Sequence, residues 1–397
     1  MRNLKIVGRS LLRFAGEEPL PLTATAWDAA SNALVCAFGP SESRATIELK
    51  RLHHARKGGE EKLESIASWD APCPLPSLTH DAILSLHHFS DTSTSCLILA
   101  GGDIVLVREA PTSTEELVEI VGSVDAGISA AAWSPDEELL AITTQADTLL
   151  LMSRDIENIA SVNLTPEDVN VSSHVSVGWG KKETQFKGKR ARALQDPTVP
   201  ETIDEGVLSP LEDRSVTISW RGDGAWFAVT KVEEDRRRMI RVYSREGQLD
   251  SVSEPVDGLE GALSWRPSGN LIASTRRTDE KVEVVFFERN GLRHGQFDLR
   301  FTPGELAALT KPLTLEWNSD SNVLAISYPD KVQLWTMSNY HYSLKQELPF
   351  LEVASRTVMC NWHSERPLAA ALSTPGREYG LPNHRSQLKD IQVHSRY

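Results

Sequence analysis

A tryptophan that returns with a small residue eight positions later constrains this chain more than any other feature. Five segments carry it: Ala131-Ala-Trp133 to Ala141, Ile218-Ser-Trp220 to Ala228, Leu263-Ser-Trp265 to Ala273, Leu315-Glu-Trp317 to Ala325 and Cys360-Asn-Trp362 to Ala370. Each pair is separated by a polar turn of Pro, Gly, Asp, Asn or Ser. Trp27 with Val35 follows the same spacing, and Phe89 with Leu97 follows it less cleanly. The pattern predicts a strand that ends on a buried aromatic ring, a tight turn and an apolar second strand. Further apolar runs at Ile104–Val107, Leu149–Met152, Ile240–Tyr243, Val284–Phe287 and Val332–Trp335 predict a third strand.

The late tryptophans step by 45, 52 and 45 residues. Periods of about 40–50 residues with several strands per unit signify propeller blades. Trp27, Phe89, Trp133, Trp220, Trp265, Trp317 and Trp362 give seven starts, so the expected fold is all-β, a WD-repeat-like seven-bladed β-propeller. The step from Trp133 to Trp220 is 87 residues, nearly double, and its Gly/Lys-rich stretch reads as an inserted basic loop of about 180–212. Only 35 residues follow Trp362, which predicts a last blade that is incomplete or that needs an N-terminal strand at Asn3–Val7. The expected organisation is a propeller over 1–376 and a polar, poorly ordered tail over 377–397.

The chain has 397 residues and a formal net charge of −13, which argues against broad non-specific binding to nucleic acid but leaves room for a local basic patch. Four widely spaced cysteines, with no CxxC pair, speak against a disulfide framework or a structural zinc site. No run of about 18 apolar residues suggests a membrane span. A nucleophile elbow, a P-loop and an HExxH motif are all missing from the sequence, so no catalytic, cofactor-binding or metal-ligating residue is assigned. The pairs His53-His54 and His87-His88 alternate faces on a strand and cannot easily share a metal. Neither His294 nor His341 has an evident carboxylate partner.

Within the insertion the residues become distinctive: His174-Val-Ser-Val-Gly-Trp179-Gly-Lys-Lys-Glu-Thr-Gln-Phe186, then Asp196-Pro-Thr-Val-Pro200. With Ile218-Ser-Trp-Arg-Gly-Asp223-Gly, Tyr243-Ser-Arg-Glu-Gly-Gln-Leu-Asp250, Phe286-Phe-Glu-Arg-Asn-Gly-Leu-Arg-His-Gly295 and Asn339-Tyr-His through Leu344-Lys-Gln-Glu347, they resemble the largest subunit of the Elongator complex, the IKAP family. The likeness runs from the first residues to about Pro367 and fades beyond Gly376. It implies the first of two WD-repeat propellers, in a non-catalytic scaffold for modification of the tRNA wobble uridine with a carboxymethyl-type group at C5. It also implies partners: a catalytic radical S-adenosylmethionine and acetyltransferase-like subunit, a second WD-repeat subunit and, indirectly, tRNA. No cofactor, membrane or small-molecule substrate is implied for this chain, and residence would be cytoplasmic or also nuclear. The chain stops near where the family's first propeller ends, which reads as a fragment or a truncated product. Tyr342-Ser343 departs from the two aromatic residues usual in the family before Leu-Lys-Gln-Glu.

The best local candidate for contact is the basic loop. Lys181, Lys182, Lys187, Lys189, Arg190 and Arg192, against Glu183, give it +5, and Phe186 could stack on a base. Contact with tRNA phosphates, docking to an acidic partner surface and a merely solvated loop all remain open readings. Arg236-Arg-Arg238 and Arg241 follow Glu233-Glu-Asp235 and read as a self-neutralising turn. Trp133, Trp220, Trp265, Trp317 and Trp362 read as core rings that fill the wedge between blades. A stand-alone propeller enzyme and a product without assembly function stand as rival readings.

Overall fold

The computed structural model describes residues 3–13, 20–53, 62–109, 117–165, 204–338, 341–350, 356–375 and 385–394. These residues form seven four-stranded antiparallel sheets. One holds β2 (Leu22–Asp28), β3 (Ala33–Phe38), β4 (Thr46–His53) and β5 (Lys62–Asp70). The next holds β6 (Ile83–Phe89), β7 (Thr94–Leu99), β8 (Asp103–Arg108) and β9 (Val118–Ser123). A third holds β10 (Ile128–Trp133), β11 (Leu139–Thr144), β12 (Thr148–Ser153) and β13 (Asn158–Asn163). Beyond the insertion come β14 (Thr217–Trp220), β15 (Trp226–Glu233), β16 (Arg237–Ser244) and β17 (Leu249–Val252), then β18 (Leu259–Trp265), β19 (Leu271–Arg277), β20 (Val282–Glu288) and β21 (Arg293–Asp298). The sixth holds β22 (Thr314–Trp317), β23 (Val323–Ser327), β24 (Lys331–Ser338) and β25 (His341–Pro349). The last runs β1-β28-β27-β26, with β1 (Asn3–Arg13), β26 (Arg356–Trp362), β27 (Leu368–Pro375) and β28 (Arg385–His394).

The tryptophan spacing has a simple geometric origin. In six sheets the aromatic faces the residue seven positions on, as in Trp133↔Leu140, Trp265↔Ile272 and Trp362↔Ala369. The residue eight positions on then faces the one before the aromatic, as in Ala132↔Ala141 and Glu316↔Ala325. Phe89 differs because its hairpin is two residues shorter. It faces Thr94, and Leu97 lies opposite Leu86 rather than His88.

In four sheets the second strand is the most buried. β3, β7, β11 and β23 are buried at every position, since both faces of the sheet are covered there. The fourth strands are half-solvated: β13 and β21 alternate between exposed and partly buried residues. The sequence reading found the first two strands and, in five sheets, the third, but not this one, because a strand with one face in water carries only a weak apolar signal.

The last sheet takes the second of the two forms expected of it: β1, Asn3–Arg13, supplies its fourth strand. Residues 385–394, read from sequence as part of a poorly ordered tail over 377–397, form β28, a polar-looking stretch held by ladders on both edges. The connection after β21 also carries a one-turn helix, α1 (Pro303–Ala308). Its capping box pairs the Thr302 hydroxyl with the Glu305 N–H, while the Glu305 carboxylate accepts from the Thr302 N–H at 2.9 Å.

The described residues divide into two compact units, Met1–Asn163 with Leu313–Tyr397, and Leu164–Pro312. The first contains five of the sheets and the second contains the sheets of β14–β17 and β18–β21.

Candidate interaction surfaces

The seven aromatic rings are buried, with relative exposures from 2% for Trp265 to 9% for Trp133. In the first unit the indoles of Trp27 and Trp362 also join sheets. Trp27 Nε1 donates to the Asn361 carbonyl at 3.1 Å, and Trp362 Nε1 donates to the Glu316 carbonyl at 3.2 Å. In both cases the acceptor precedes the tryptophan of the neighbouring sheet. The Asn361 amide adds a bond to the Thr25 carbonyl at 2.7 Å. A buried indole therefore satisfies its N–H and fixes the spacing of two sheets at once.

At the turn end of β2 sits a polar network. Asp28 accepts from Ser31 Oγ at 2.5 Å, from Ser90 Oγ at 3.0 Å and from Arg51. Arg51 also reaches Glu109, which lies just past β8. Burial works against the Asp28 charge, but the bonds from Ser31 and Arg51 outweigh it and hold the carboxyl well below the usual range. His88 is buried with Nδ1 against Ser95 Oγ at 2.9 Å and Nε2 3.8 Å from Asp28. Burial lowers its pKa despite the nearby carboxylates. His87 points to Glu137 instead, at 2.9 Å, so the adjacent histidines do part company. His294 lies 2.9 Å from Glu288, an acidic partner that the sequence reading missed. Among the described residues no group of three or more His, Cys, Asp or Glu could hold a metal ion. Cys36, Cys73, Cys96 and Cys360 are free thiols, and burial pushes Cys36 and Cys96 up to about 12.

The second unit is built differently. Its turn at Glu234 and Asp235 joins β15 to β16, and both residues have positive φ. Two of the arginines that follow turn inward, Arg238 and Arg241 at 1% exposure each, whereas Arg236 is exposed. Arg238 pairs with Glu212 and donates to the Ser215 carbonyl at 2.7 Å. Arg241 pairs with Glu233 at 2.5 Å and donates to the Thr165 carbonyl at 3.0 Å. Arg277 pairs with the buried Glu260 at 2.6 Å, and Ser209 and Thr275 also donate to that carboxylate.

These pairs hold both ends of the insertion. Thr165, where it leaves, is held by Arg241. Where the chain returns, Asp204 accepts from Arg293 at 2.8 Å, and Asp257 accepts from the consecutive N–H groups of Glu205, Gly206 and Val207 at 3.0, 2.7 and 2.9 Å. Burial opposes the Asp257 charge, but those three bonds pull its carboxyl below the ordinary value. Gly258, beside it, has φ +73°, and a Cβ there would lie 1.9 Å from the Arg277 carbonyl, so only glycine fits. Lys181, Lys182, Phe186, Lys187, Lys189, Arg190 and Arg192, with the motif around Trp179, lie outside the described residues. Exposed apolar side chains are few and scattered: Ile120, Ile159, Val207, Met337 and Leu344 among the described residues. No helix among the described residues is long and apolar enough to cross a membrane.

Comparison with known proteins agrees with the motifs. The family described as the ELP1 first N-terminal beta-propeller matches residues 1–365. The Elongator complex protein 1 of Saccharomyces cerevisiae is 40% identical over 388 residues, covering 88% of this chain and 27% of the relative. That of Schizosaccharomyces pombe is 46% identical over 289 residues, covering 72% of this chain and 22% of the relative. That of Mus musculus is 44% identical over 289 residues, covering 70% and 21%. The chain thus spans about a quarter of the length of these relatives. An all-β chain with this repeat, this insertion and this match belongs to the family of Elongator complex protein 1 first β-propellers.

Proposed function

We propose that this chain is a non-catalytic scaffold module of the Elongator complex, acting in carboxymethyl-type modification of the tRNA wobble uridine. The family match over residues 1–365 carries this reading. Its mechanism is positional. Stable sheets present loops that can hold partner subunits in place. The chemistry would be supplied by a radical S-adenosylmethionine and acetyltransferase-like partner, with a second WD-repeat subunit alongside, in the cytoplasm. In this reading each four-stranded sheet is a propeller blade, the last completed by β1.

The basic residues Lys181, Lys182, Lys187, Lys189, Arg190 and Arg192, with Phe186, are the contact we assign to the insertion. The anchoring of both ends of 166–203 to the second unit favours a defined place of presentation. Co-purification of this chain with the other Elongator subunits, followed by gel filtration, tests the scaffold role. Co-elution supports it, and separate elution of a folded chain contradicts it. Reversing the six basic charges then separates two outcomes. Loss of tRNA binding with assembly intact indicates phosphate contact, and loss of assembly indicates partner docking.

A further inference from the structure

The sheet of β1, β26, β27 and β28 is unlike the other six. Elsewhere four consecutive strands make a sheet; here β28 lies between β27 and the distant β1. On one edge it pairs with β1 at ten positions, from Asn3↔His394 to Arg13↔Arg385, with a shift between Ile6 and Gly8. On the other edge it pairs with β27 at six positions, from Leu368↔Gln392 to Ser373↔Gln387. The ladder of β1 runs to β28 and to no other described strand. Yet Leu4 and Ile6 of β1 pack on the core cluster that includes Val332, Cys360 and Trp362. β1 is therefore placed by core packing as well as by β28, so the two sides of the slot have separate anchorage.

The family match ends at residue 365, so β27 (Leu368–Pro375) and β28 (Arg385–His394) both lie beyond it, whereas β1 lies within it. β28 is therefore held between a strand inside the match and a strand outside it, by main-chain ladders on both edges. Main-chain bonding gives affinity with little regard to sequence, while alternate side chains add modest selection. An empty slot would leave two unpaired strand edges, which strongly favours capture of an extended segment.

We propose that the slot between β27 and β1 is a strand-acceptor site for an extended peptide, which this chain fills with its own residues 385–394. The site binds by antiparallel addition to both edges and does not need the covalent link through 376–384. That link only raises the local concentration of the strand.

The test uses the full chain with a protease site inserted within 376–384, cut after folding. The probe is a fluorescent synthetic peptide of residues 385–394, and the control is the same peptide with Lys389→Pro and Ile391→Pro. The cut chain is expected to keep its segment through gel filtration and to exchange it for excess labelled peptide. Its Tm should rise with peptide concentration. The proline peptide, lacking two donors, should bind about tenfold or more weakly. If the emptied chain unfolds, it is refolded with the peptide present, and recovery of native signal with bound label supports the proposal. Three results would overturn it: an unchanged Tm after the segment is removed, equal binding of both peptides, or no peptide-dependent refolding where the uncut chain refolds.

Discussion

Two regions of this molecule are held together by a different balance of contacts, neutral bonds between sheets in one and buried charge within sheets in the other. In the first unit, the seams beside β26 rest on indole N–H groups of Trp27 and Trp362 that reach neighbouring carbonyls. In the second, Trp265 turns its Nε1 back to its own hairpin at Gly269, 3.3 Å away, and the backbone N–H of Trp265 meets Ser219 Oγ at 2.8 Å. Charge acts there mainly within a sheet: Arg241–Glu233 spans β16 and β15, Arg277–Glu260 spans β19 and β18, and Arg238–Glu212 ties β16 to the segment before β14. Among the described residues the first unit has one such cluster, Arg51 with Asp28 and Glu109, but the second unit has three buried pairs and also holds both ends of a long insertion. Neutral latches lose modestly when one is removed, whereas a buried charge left without its partner is costly. The second unit should therefore be the more brittle.

The largest effect tests that brittleness. Arg277→Leu leaves Glu260, whose side chain is 0% exposed, without its cation. The expected loss is about 3–5 kcal/mol in denaturant unfolding. A loss below about 1 kcal/mol would show that the pair does not hold the unit. In the first unit, Trp362→Phe keeps a ring but removes the bond to the Glu316 carbonyl. The loss should be about 1–2 kcal/mol, and an equal or larger loss than for Arg277→Leu would reverse the contrast.

Titration sharpens the comparison further. Burial pushes the Glu316 carboxyl up to about 8, partly offset by the Trp362 N–H at 3.3 Å. Because the folded state holds the proton more tightly, stability is fully present below the ordinary carboxylate pKa and is lost as pH rises through about 8. Glu316 is partly exposed, so the slope should stay under about 1.4 kcal/mol per pH unit, and Glu316→Gln should flatten it. His88 has the opposite sign: its lowered pKa gives stability that is present above about 6.5 and fades as pH falls, and His88→Gln should remove that fade. Unfolding curves from pH 5 to 8.5 check both. Identical slopes in the parent and both variants would contradict these assignments. In the second unit Asp223 and Asp257 shift downward, so their contribution is lost only near and below the usual carboxylate range. The smallest effect belongs to Arg214–Asp235, whose side chains are 67% and 69% exposed. Replacing both by neutral amides should change stability by less than about 0.5 kcal/mol, and a larger change would mean that the surface pair carries part of the unit.

These contrasts also explain what could be read from the amino-acid order. The hairpins after Trp133, Trp220, Trp265, Trp317 and Trp362 were legible because a fixed turn length ties an aromatic residue to a small one eight positions on. Phe89 read less cleanly for a physical reason: its shorter turn changes the cross-strand partner. Outer strands such as β13 escaped because only one face is covered. β28 escaped because ladders on both edges can hold a polar segment that has no apolar pattern of its own. The buried arginines were placed in the right turn, but charge patterning gave no sign that Arg238 and Arg241 point inward. Each needs a distant partner, Glu212 for the one and the Thr165 carbonyl for the other, and only the folded chain brings them near.

The most direct test of the scaffold role is affinity capture of the tagged 397-residue chain from its own cells, with bound proteins identified by mass spectrometry. The account predicts recovery of the other Elongator subunits with this propeller alone. A soluble, folded chain that recovers none of them would contradict the scaffold role, even with the family assignment intact.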